Sequence, residues 1–392
     1  MRSIISDLKC TGCSACASIC PVGAISMEKN EEGFSYPNIR EKCINCKKCL
    51  QVCPIINNSE INNDYEKKVY AALTKNSKIW QQSSSGGAFT EICDAWRTLD
   101  DRHTVFYGAA WNGTYVSHIC VDSMKKIGLL SKSKYIQSDL NKVHNAIKKQ
   151  LNEGYKIVFC GTPCQVAGVR NFLNRDYENL LLVDFICHGV GSPAVFNTCI
   201  EVIEKDLSEK ISSYSFRTKK RVYEKDHITK LSVANKSKKI YVVEDRYIQL
   251  FTKQHCLRKS CGKNCVYRNE NRQGDITIGD FKGLINVFPH LKGTKKNYSS
   301  LIVNNEKGAK ILPTLSKRMK LLECKTDDIK EYNPLYYRHT FFSDERDDFF
   351  EKYTINPVKT IITYTKPSKI HYRTLKRRIY DTLPVLIRKY LT

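Results

Sequence analysis

The sequence has no long hydrophobic run and no apolar leader. None of its stretches approaches the roughly 18 consecutive apolar residues that a membrane-spanning helix needs, and the best run, Leu180–Cys187, is interrupted by Asp184. The N-terminal stretch MRSIISDLKC contains no hydrophobic core of a signal peptide. We therefore expect a cytoplasmic protein without a transmembrane segment.

Acidic residues are scarce relative to basic ones. The chain has 40 Asp and Glu against 64 Lys and Arg, a formal net charge of +24. A surplus of this size attracts anions, so we expect an acidic donor such as a ferredoxin or flavodoxin, and an anionic small-molecule substrate. The basic residues are spread along the chain and match no nucleic-acid-binding module, so no nucleic-acid partner is expected. A hydrophobic fraction of 41% over 392 residues excludes disorder throughout and allows two or three domains.

Cysteine, in contrast, is abundant. Of the 18 cysteines, eight fall in the first 53 residues, in two runs spaced Cys-x2-Cys-x2-Cys-x3-Cys-Pro. So many thiols in a chain without a leader favour metal binding over disulfides. Zinc sites usually combine two CxxC pairs, not two runs of four with a trailing proline. The spacing is that of a two-cluster bacterial ferredoxin.

The resemblance to these ferredoxins implies how the ligands are shared. The fourth cysteine of each run binds the cluster of the other run. One [4Fe-4S] cluster would then be held by Cys10, Cys13, Cys16 and Cys53. The other would be held by Cys43, Cys46, Cys49 and Cys20. Two such clusters form a path for single electrons.

Changes in composition divide the chain into four parts. Residues 1–56 form the ferredoxin-type domain, and the polar, Asn-rich residues 57–68 form a linker. Residues 69–355 form a larger domain, and residues 356–392 form a basic tail with apolar residues at helical intervals. The tail is either a helix docked on the body with a solvated basic face or a peripheral membrane contact.

Short apolar segments alternate with helical patterns in the larger domain. Buried strands are predicted at Val69–Leu73, Val105–Trp111, Lys156–Phe159 and Leu180–Ile186. A helix is predicted over Ser138–Leu151, with Ser138 or Asp139 as its N-cap, and antiparallel hairpins over 214–250. The fold class is therefore mixed α/β (α+β or α/β), following the two-cluster domain.

Three motifs in this domain combine small residues with a strand or helix end. Ser83–Phe89 precedes a predicted helix, where backbone N–H groups approach an anion or a flat ring, although a plain helix cap has the same pattern. Gly161–Gln165 joins a strand to a helix, and Cys164 near that helix start should have a lowered thiol pKa; the alternative is a structural turn. His188, after the next strand, is a flavin contact or proton donor, or a packing residue.

A further cysteine group has the spacing Cys256-x4-Cys261-x3-Cys265. Three thiols in a basic loop again suggest a metal, and a fourth ligand would come from Cys187 or Cys164.

These segments resemble one family when they are taken in order. The quoted segments are SSSGGAF (83–89), SKYIQSDL (133–140), KIVFCGTPCQVAG (156–168), DFICHGVGSP (184–193), SFRTKK (215–220), GDITIGDF (274–281) and NPLYYRHTFF (333–342). From about Val69 to Phe350 the chain resembles the beta subunit of coenzyme F420 hydrogenases and dehydrogenases. With its ferredoxin domain it is most similar to the bacterial branch, which is often encoded beside polysaccharide-assembly enzymes.

The resemblance implies a flavoprotein oxidoreductase. FAD would receive electrons from [4Fe-4S] clusters and exchange hydride with a deazaflavin or another organic substrate. The implied flavin-site residues are Ser85, Gly86, Gly87, Gln137, Ser138, Gly161, Thr162 and Pro163. The thiols that compete for the four places of a third [4Fe-4S] cluster are Cys187, Cys256, Cys261, Cys265 and Cys164. The alternative function is an electron-transfer subunit that has no substrate of its own and docks on a larger enzyme.

One detail departs from this family. Relatives usually have two residues between the last two loop cysteines, whereas Gly262-Lys263-Asn264 makes three here. The departure leaves open which thiols bind a third cluster.

Overall fold

The computed structural model describes residues 4–57, 64–140, 142–219, 227–233, 236–241, 244–262, 265–338 and 344–365. The N-terminal part consists of α1 (Ala15–Ile19), β1 (Ile25–Lys29), β2 (Ser35–Ile39) and α2 (Lys48–Gln51). Strands β1 and β2 form an antiparallel hairpin, and α1 packs on α2. Each short helix directly follows or contains cysteines of one run, so the two runs face one another.

An eight-stranded mixed sheet forms the centre of the larger part. Its strands in chain order are β3 (Lys68–Thr74), β4 (Thr104–Asn112), β5 (Tyr115–Val121), β6 (Lys156–Cys160), β7 (Leu180–Phe185), β11 (Ile276–Asp280), β12 (Ser299–Val303) and β13 (Met319–Cys324). Their spatial order is β13-β3-β12-β11-β7-β6-β4-β5. The four central strands β11, β7, β6 and β4 are parallel, and the outer pairings are antiparallel.

Helices accompany this sheet along the chain. They are α3 (Ser77–Gln82), α4 (Ala88–Arg97), α5 (Val143–Asn152), α6 (Pro163–Leu173), α7 (Pro193–Leu207), α8 (Arg246–Thr252), α9 (Leu284–Val287), α10 (Glu306–Ala309), α11 (Leu312–Arg318), α12 (Thr326–Tyr332), α13 (Glu345–Ile355) and α14 (Pro357–Tyr364). Alternate residues of a central strand enter opposite cores, as a sheet covered on both faces requires. Ile157 and Phe159 pack with α5 and α6, whereas Val158 packs with α4 and α11.

A second, three-stranded sheet lies between β7 and β11 in the chain. Strands β8 (Ile211–Lys219), β9 (His227–Val233) and β10 (Lys236–Tyr241) are antiparallel, which confirms the predicted hairpins. Phe216 of β8 packs with Phe196 of α7 and Tyr247 of α8 in an aromatic core. The predicted hairpin region ends earlier than 250, because Asp245 caps α8 by accepting a hydrogen bond from the Ile248 N–H.

The predicted helix over Ser138–Leu151 begins too early. Helix α5 starts at Val143, and neither Ser138 nor Asp139 is its N-cap. Ser138 is turned into the protein, where its Oγ lies 2.8 Å from His118 Nδ1 and accepts a hydrogen bond from Gln165 Nε2 at 3.1 Å. Asp139 is paired through its backbone with strand β5. These hydrogen bonds to distant parts of the chain therefore keep Ser138 and Asp139 out of the helix, although their sequence pattern is helical.

The remaining elements confirm the mixed α/β class with an N-terminal ferredoxin-type region. Part of the tail, α14, packs against α7 and α13, and the rest of the predicted tail helix, from residue 366, lies outside the described residues. So do residues 58–63 of the predicted linker. Within the described ranges, no helix is both long and apolar enough to span a bilayer.

Candidate functional site

The first group of thiols comprises Cys10, Cys13, Cys16 and Cys53. All four line one small cavity. Burial is the main cause that raises the pKa of Cys13, to about 12, and negative charge on Cys10 or Cys53 raises it further. The pKa of Cys16 is raised by burial and by all three other thiols. The structure thus brings together the four side chains that the resemblance assigned to one cluster.

A left-handed backbone at Gly12, with φ of +68°, shapes the loop between Cys10 and Cys13. A Cβ at this position would collide with the amide of Gln137 and lie 3.0 Å from Arg258 Nη1. Only glycine therefore allows this loop to lie against the larger part of the chain.

The second group lies at the surface. Cys43, Cys46 and Cys49 precede or begin α2, and Cys46 is exposed. The pKa of Cys49 is raised mainly by burial, with smaller contributions from Cys43 and Cys46. Cys20 ends α1, where its Sγ accepts a hydrogen bond from the Ala24 N–H at 3.1 Å. The packing of α1 on α2 brings the helix that Cys20 ends against the helix that contains Cys49.

A third group comprises Cys164, Cys187, Cys261 and Cys265, which line another small cavity. Burial raises the pKa of Cys187 to about 12, and charge on Cys261 and Cys265 raises it further. Cys164 is coupled to the other three in the same way. Four converging thiols are the donor set that a [4Fe-4S] cluster uses.

Cys256 lies away from this group. It is fully buried in the aromatic core, where its side chain is hydrogen-bonded to Tyr247 and lies near Cys199. The departure in loop spacing therefore affects a segment in which Cys261 and Cys265 still converge with Cys164 and Cys187.

The expectation of a lowered thiol pKa at Cys164 is wrong. Cys164 does stand at the start of α6, which Thr162 caps by accepting a hydrogen bond from the Gln165 N–H. Burial nevertheless raises its pKa well above the ordinary value, because removal of water outweighs the helix terminus. Within the described ranges, no three His, Cys, Asp or Glu side chains could hold a single metal ion. A four-iron cluster is larger than an ion and fits thiols that surround a cavity.

Tyr267 lies between the first and third groups. Its hydroxyl donates a hydrogen bond to the Pro54 carbonyl at 2.6 Å. Burial is the largest cause that raises the pKa of Tyr267, followed by charge on Cys164, Cys13, Cys53 and Cys265. A single buried ring therefore touches the surroundings of both groups.

A larger cavity of about 570 Å³ opens at the carboxyl ends of the parallel strands. Gly161 follows β6, the loop Ile186–Val190 follows β7, and Asp280 ends β11; all line the cavity. The N-terminus of α4, from Gly87, closes another side. This is the position where open α/β sheets bind ligands, and the volume suits a cofactor.

The predicted flavin-site residues are divided between the two cavities. Those that line the large cavity are Ser85, Gly87, Ser138, Gly161 and Thr162. Gln137 and Pro163 line the cavity of the third thiol group instead. Gly86 is a packing residue, because its N–H donates to Ser299 Oγ at 2.8 Å and a Cβ there would meet the backbone of Ala72 and Ser299.

His188 lines the large cavity beside Phe251, with ring centroids 5.0 Å apart. Its Nε2 is buried and has no hydrogen-bond partner among the described residues. Burial, helped by the neighbouring Arg268, lowers the pKa of His188 to about 4. His188 is therefore a neutral imidazole at the wall of this cavity, and its Nε2 is not accessible to solvent.

Sequence reasoning missed the basic residues of this cavity. Lys132, Lys134, Arg217 and Lys282 all line it. Arg217 donates to Asp280 Oδ2 at 2.7 Å and to the Ser84 carbonyl at 3.1 Å. Burial lowers the pKa of Lys134 to about 7, and its Nζ donates to the carbonyls of Ser131 and Leu129. No pattern distinguishes these lysines from the many surface lysines of the chain.

The two cavities share a wall. Thr162, Gln165, Cys187, Gly189 and Val190 line both of them. Cys187 is a thiol of the third group, and it directly precedes His188 in the chain. A cluster held by the third group would therefore lie next to a molecule bound in the large cavity.

Buried thiol groups next to a cavity at the ends of parallel strands suit an iron–sulfur redox protein. The C-terminal part of the family described as "Coenzyme F420 hydrogenase/dehydrogenase, beta subunit" matches residues 154–329, and the "4Fe-4S dicluster domain" matches residues 9–56. Residues 154–329 therefore belong to the coenzyme F420 hydrogenase/dehydrogenase beta-subunit family, joined here to a dicluster domain. The resemblance to the beta-subunit family is confirmed over residues 154–329, and the resemblance to two-cluster ferredoxins over residues 9–56.

The chain has low sequence identity to a solved hydrogenase structure. A solved structure, described as a xenon derivative of the F420-reducing [NiFe] hydrogenase complex from Methanosarcina barkeri, is 12% identical, with a TM-score of 0.43. The match covers 77% of this chain and 91% of that one. No curated protein is significantly similar to the chain.

Proposed function

We propose that this protein is a flavin-dependent oxidoreductase fed by its own iron–sulfur clusters. The wall shared by the third thiol group and the 570 Å³ cavity carries the proposal, because a cluster held by these thiols would lie beside a cofactor-sized space. A flavin bound there exchanges single electrons with clusters and hydride with an organic substrate. The substrate class that we propose is an anionic, unsaturated molecule such as a deazaflavin.

The residues of the cavity supply binding and orientation. Gly87, with φ of +91°, is the N-cap of α4, and the first residues of this helix line the cavity, so the free N–H groups of the helix start are the anion site that we propose. Lys132, Lys134 and Arg217 add positive charge that suits a diphosphate or an anionic substrate. The His188 ring, beside Phe251, gives the cavity an aromatic wall against which the flavin ring or the substrate can pack.

The thiol groups supply a path. The first and third groups lie on either side of Tyr267, and the second group contributes Cys20 from the same short helix, α1, that follows Cys13. We propose that electrons pass from the second to the first and then to the third group before they reach the cavity.

Cofactor content tests the proposal. Protein purified without oxygen should contain about 12 Fe and one FAD per chain, measured together with acid-labile sulfide and the visible spectrum. About 8 Fe with one FAD would support the flavin-dependent oxidoreductase and show that the third cluster is absent. About 8 Fe without flavin, even after FAD is added back, would contradict the proposal and favour an electron-transfer subunit that docks on a larger enzyme.

A matched pair of variants tests the binding site. Gly87→Val should remove FAD, because valine at φ of +91° is strained and its Cβ would lie 2.7 Å from Thr74. Gly113→Val is the control, since Gly113 also has positive φ, +60°, but nothing lies within 4 Å of its Cβ position. Equal flavin content in both folded variants would show that the α4 terminus does not hold the flavin.

A further inference from the structure

The second thiol group differs from the other two in its exposure. Cys46 is exposed, whereas Cys10, Cys13 and Cys53 are buried. The loop around Cys46 also presents Ile44, whose side chain is 59% exposed. A cluster held by this group would therefore be the one that an external protein can approach most closely.

The same loop is basic. Lys42, Lys47 and Lys48 are all exposed and stand on either side of Ile44 and Cys46. We call these five residues the Lys42–Lys48 face. From Arg40 to Lys48 the sequence has four basic residues and one acid, Glu41. An exposed apolar side chain among lysines suits a small, transient interface with an acidic partner.

We propose that the Lys42–Lys48 face is the docking surface for a small, acidic one-electron carrier protein. The carrier loses one electron, the cluster held by Cys43, Cys46, Cys49 and Cys20 gains it, and no bond or proton is transferred. This inference deepens the proposed function and rests on its assignment of a cluster to these thiols. The lysines attract the acidic partner, and Ile44 supplies the apolar contact at the centre of the interface.

Binding of a purified acidic two-cluster ferredoxin to the anaerobic, cluster-loaded protein tests the proposal. The test variant is Lys42→Gln/Lys47→Gln/Lys48→Gln. The control is Lys317→Gln/Lys320→Gln/Lys325→Gln, which removes the same charge from exposed positions in and beside strand β13. By calorimetry at low salt, the test variant should raise Kd by about tenfold or more and the control by less than about twofold. Equal effects of the two variants would overturn the proposal.

Electron transfer provides a second readout. With reduced ferredoxin, the bleaching of the iron–sulfur absorbance should slow in the test variant and lose its dependence on ionic strength. With reduced methyl viologen, which needs no protein docking, the rate should change by less than about twofold. A loss with both donors would indicate a damaged cluster and would overturn the assignment of these lysines to docking.

Both measurements can succeed when no substrate is reduced, so failure of the docking face and failure of the flavin chemistry are distinguishable. Sedimentation supplies a further check. If the protein self-associates and the test variant is monomeric, the face binds a second copy and the proposal is overturned.

Discussion

Arg258 links the cysteine groups through a fully buried side chain. Its Nε donates to the Cys10 carbonyl at 2.8 Å, and its Nη1 donates to Gln137 Oε1 at 2.9 Å. Its charge lowers the pKa of Cys10 and Cys261 against the dominant effect of burial. The guanidinium thus lies near one ligand of the first group and one of the third.

Removal of this charge should lower a cluster potential. In Arg258→Gln, the reduced and more negative cluster loses a nearby cation, so we expect the midpoint potential of at least one cluster to fall by some tens of millivolts. Redox titration followed by EPR measures the shift. Arg258→Lys keeps the charge and should give a smaller change; an equal shift in both variants would attribute the effect to altered packing.

Two cysteines should behave differently when each is replaced by alanine. Cys187→Ala removes a thiol of the third group, so the protein should lose about four Fe per chain. Cys256→Ala should keep its iron and lose about 1–2 kcal/mol of unfolding free energy, because it shrinks a buried side chain in the aromatic core. Iron analysis and denaturant unfolding distinguish the variants, and loss of iron from Cys256→Ala would contradict the placement.

The sequence indicated which cysteines are candidate metal ligands, but it did not indicate which side chains lie together in the fold. The ferredoxin spacing specified the first two thiol groups, since ligands close together in a chain leave few arrangements. The third group draws on distant segments, so spacing could not choose between Cys256 and Cys164. The cavity lysines, such as Lys134, were missed because only the fold separates a cavity lysine from a surface one.

The segment Leu130–Ile136 should make binding of the proposed flavin depend on pH. Burial lowers the pKa of Lys134 to about 7; negative charge on Cys160 opposes this shift, and nearby Lys132 adds a smaller lowering effect. Lys134 is therefore charged below this value and neutral above it, so affinity for an anionic cofactor should weaken as pH rises from about 6 to about 8. FAD titration should show a several-fold rise in Kd that Lys134→Met lacks. Lys125→Met, an exposed lysine, should behave like the natural protein.

An ion pair joins the turn between β1 and β2 to helix α13. Arg346 donates two hydrogen bonds to Glu32, at 2.6 and 3.2 Å, and both residues are buried. Glu32→Ala should lower the free energy of unfolding by about 3 kcal/mol, because it removes the buried carboxylate that accepts two hydrogen bonds from the guanidinium, while Asp347 still accepts one. Glu31→Ala, at the exposed neighbour, should change it by about 0.5 kcal/mol or less. Similar losses in denaturant unfolding would show that this contact is not important.

Strands were predictable where helix boundaries were not. The buried strands β3, β4, β6 and β7 follow from apolar runs, because a sheet covered on both faces requires them. Helix α5 begins five residues later than predicted, since bonds from His118 and Gln165 to Ser138 form only in the folded protein. Local patterns specify which segments are buried, and long-range polar contacts decide where a helix begins.

Iron removal should affect the two parts of the molecule unequally. The N-terminal region has two helices of five and four residues and a short hairpin, so its thiol groups supply much of its order when they bind metal. The eight-stranded sheet has its own cores. After chelation, hydrogen exchange should rise mainly in residues 10–53, while strands β6 and β7 stay protected. An equal rise in hydrogen exchange in both parts would contradict this expectation.

The contacts between the N-terminal region and the larger domain limit which domain exchanges the protein can tolerate. Gln137, Arg258, Tyr267 and Arg346 each bind this region from a different part of the larger domain. A chimera that exchanges residues 1–56 alone would keep the thiols and lose these matched contacts. If a donor docks on the Lys42–Lys48 face as proposed, specialisation toward a new donor is easier through changes in this exposed loop than through exchange of residues 1–56. Substitutions in the exposed loop could then change the partner while the buried contacts between the two parts of the chain stay the same.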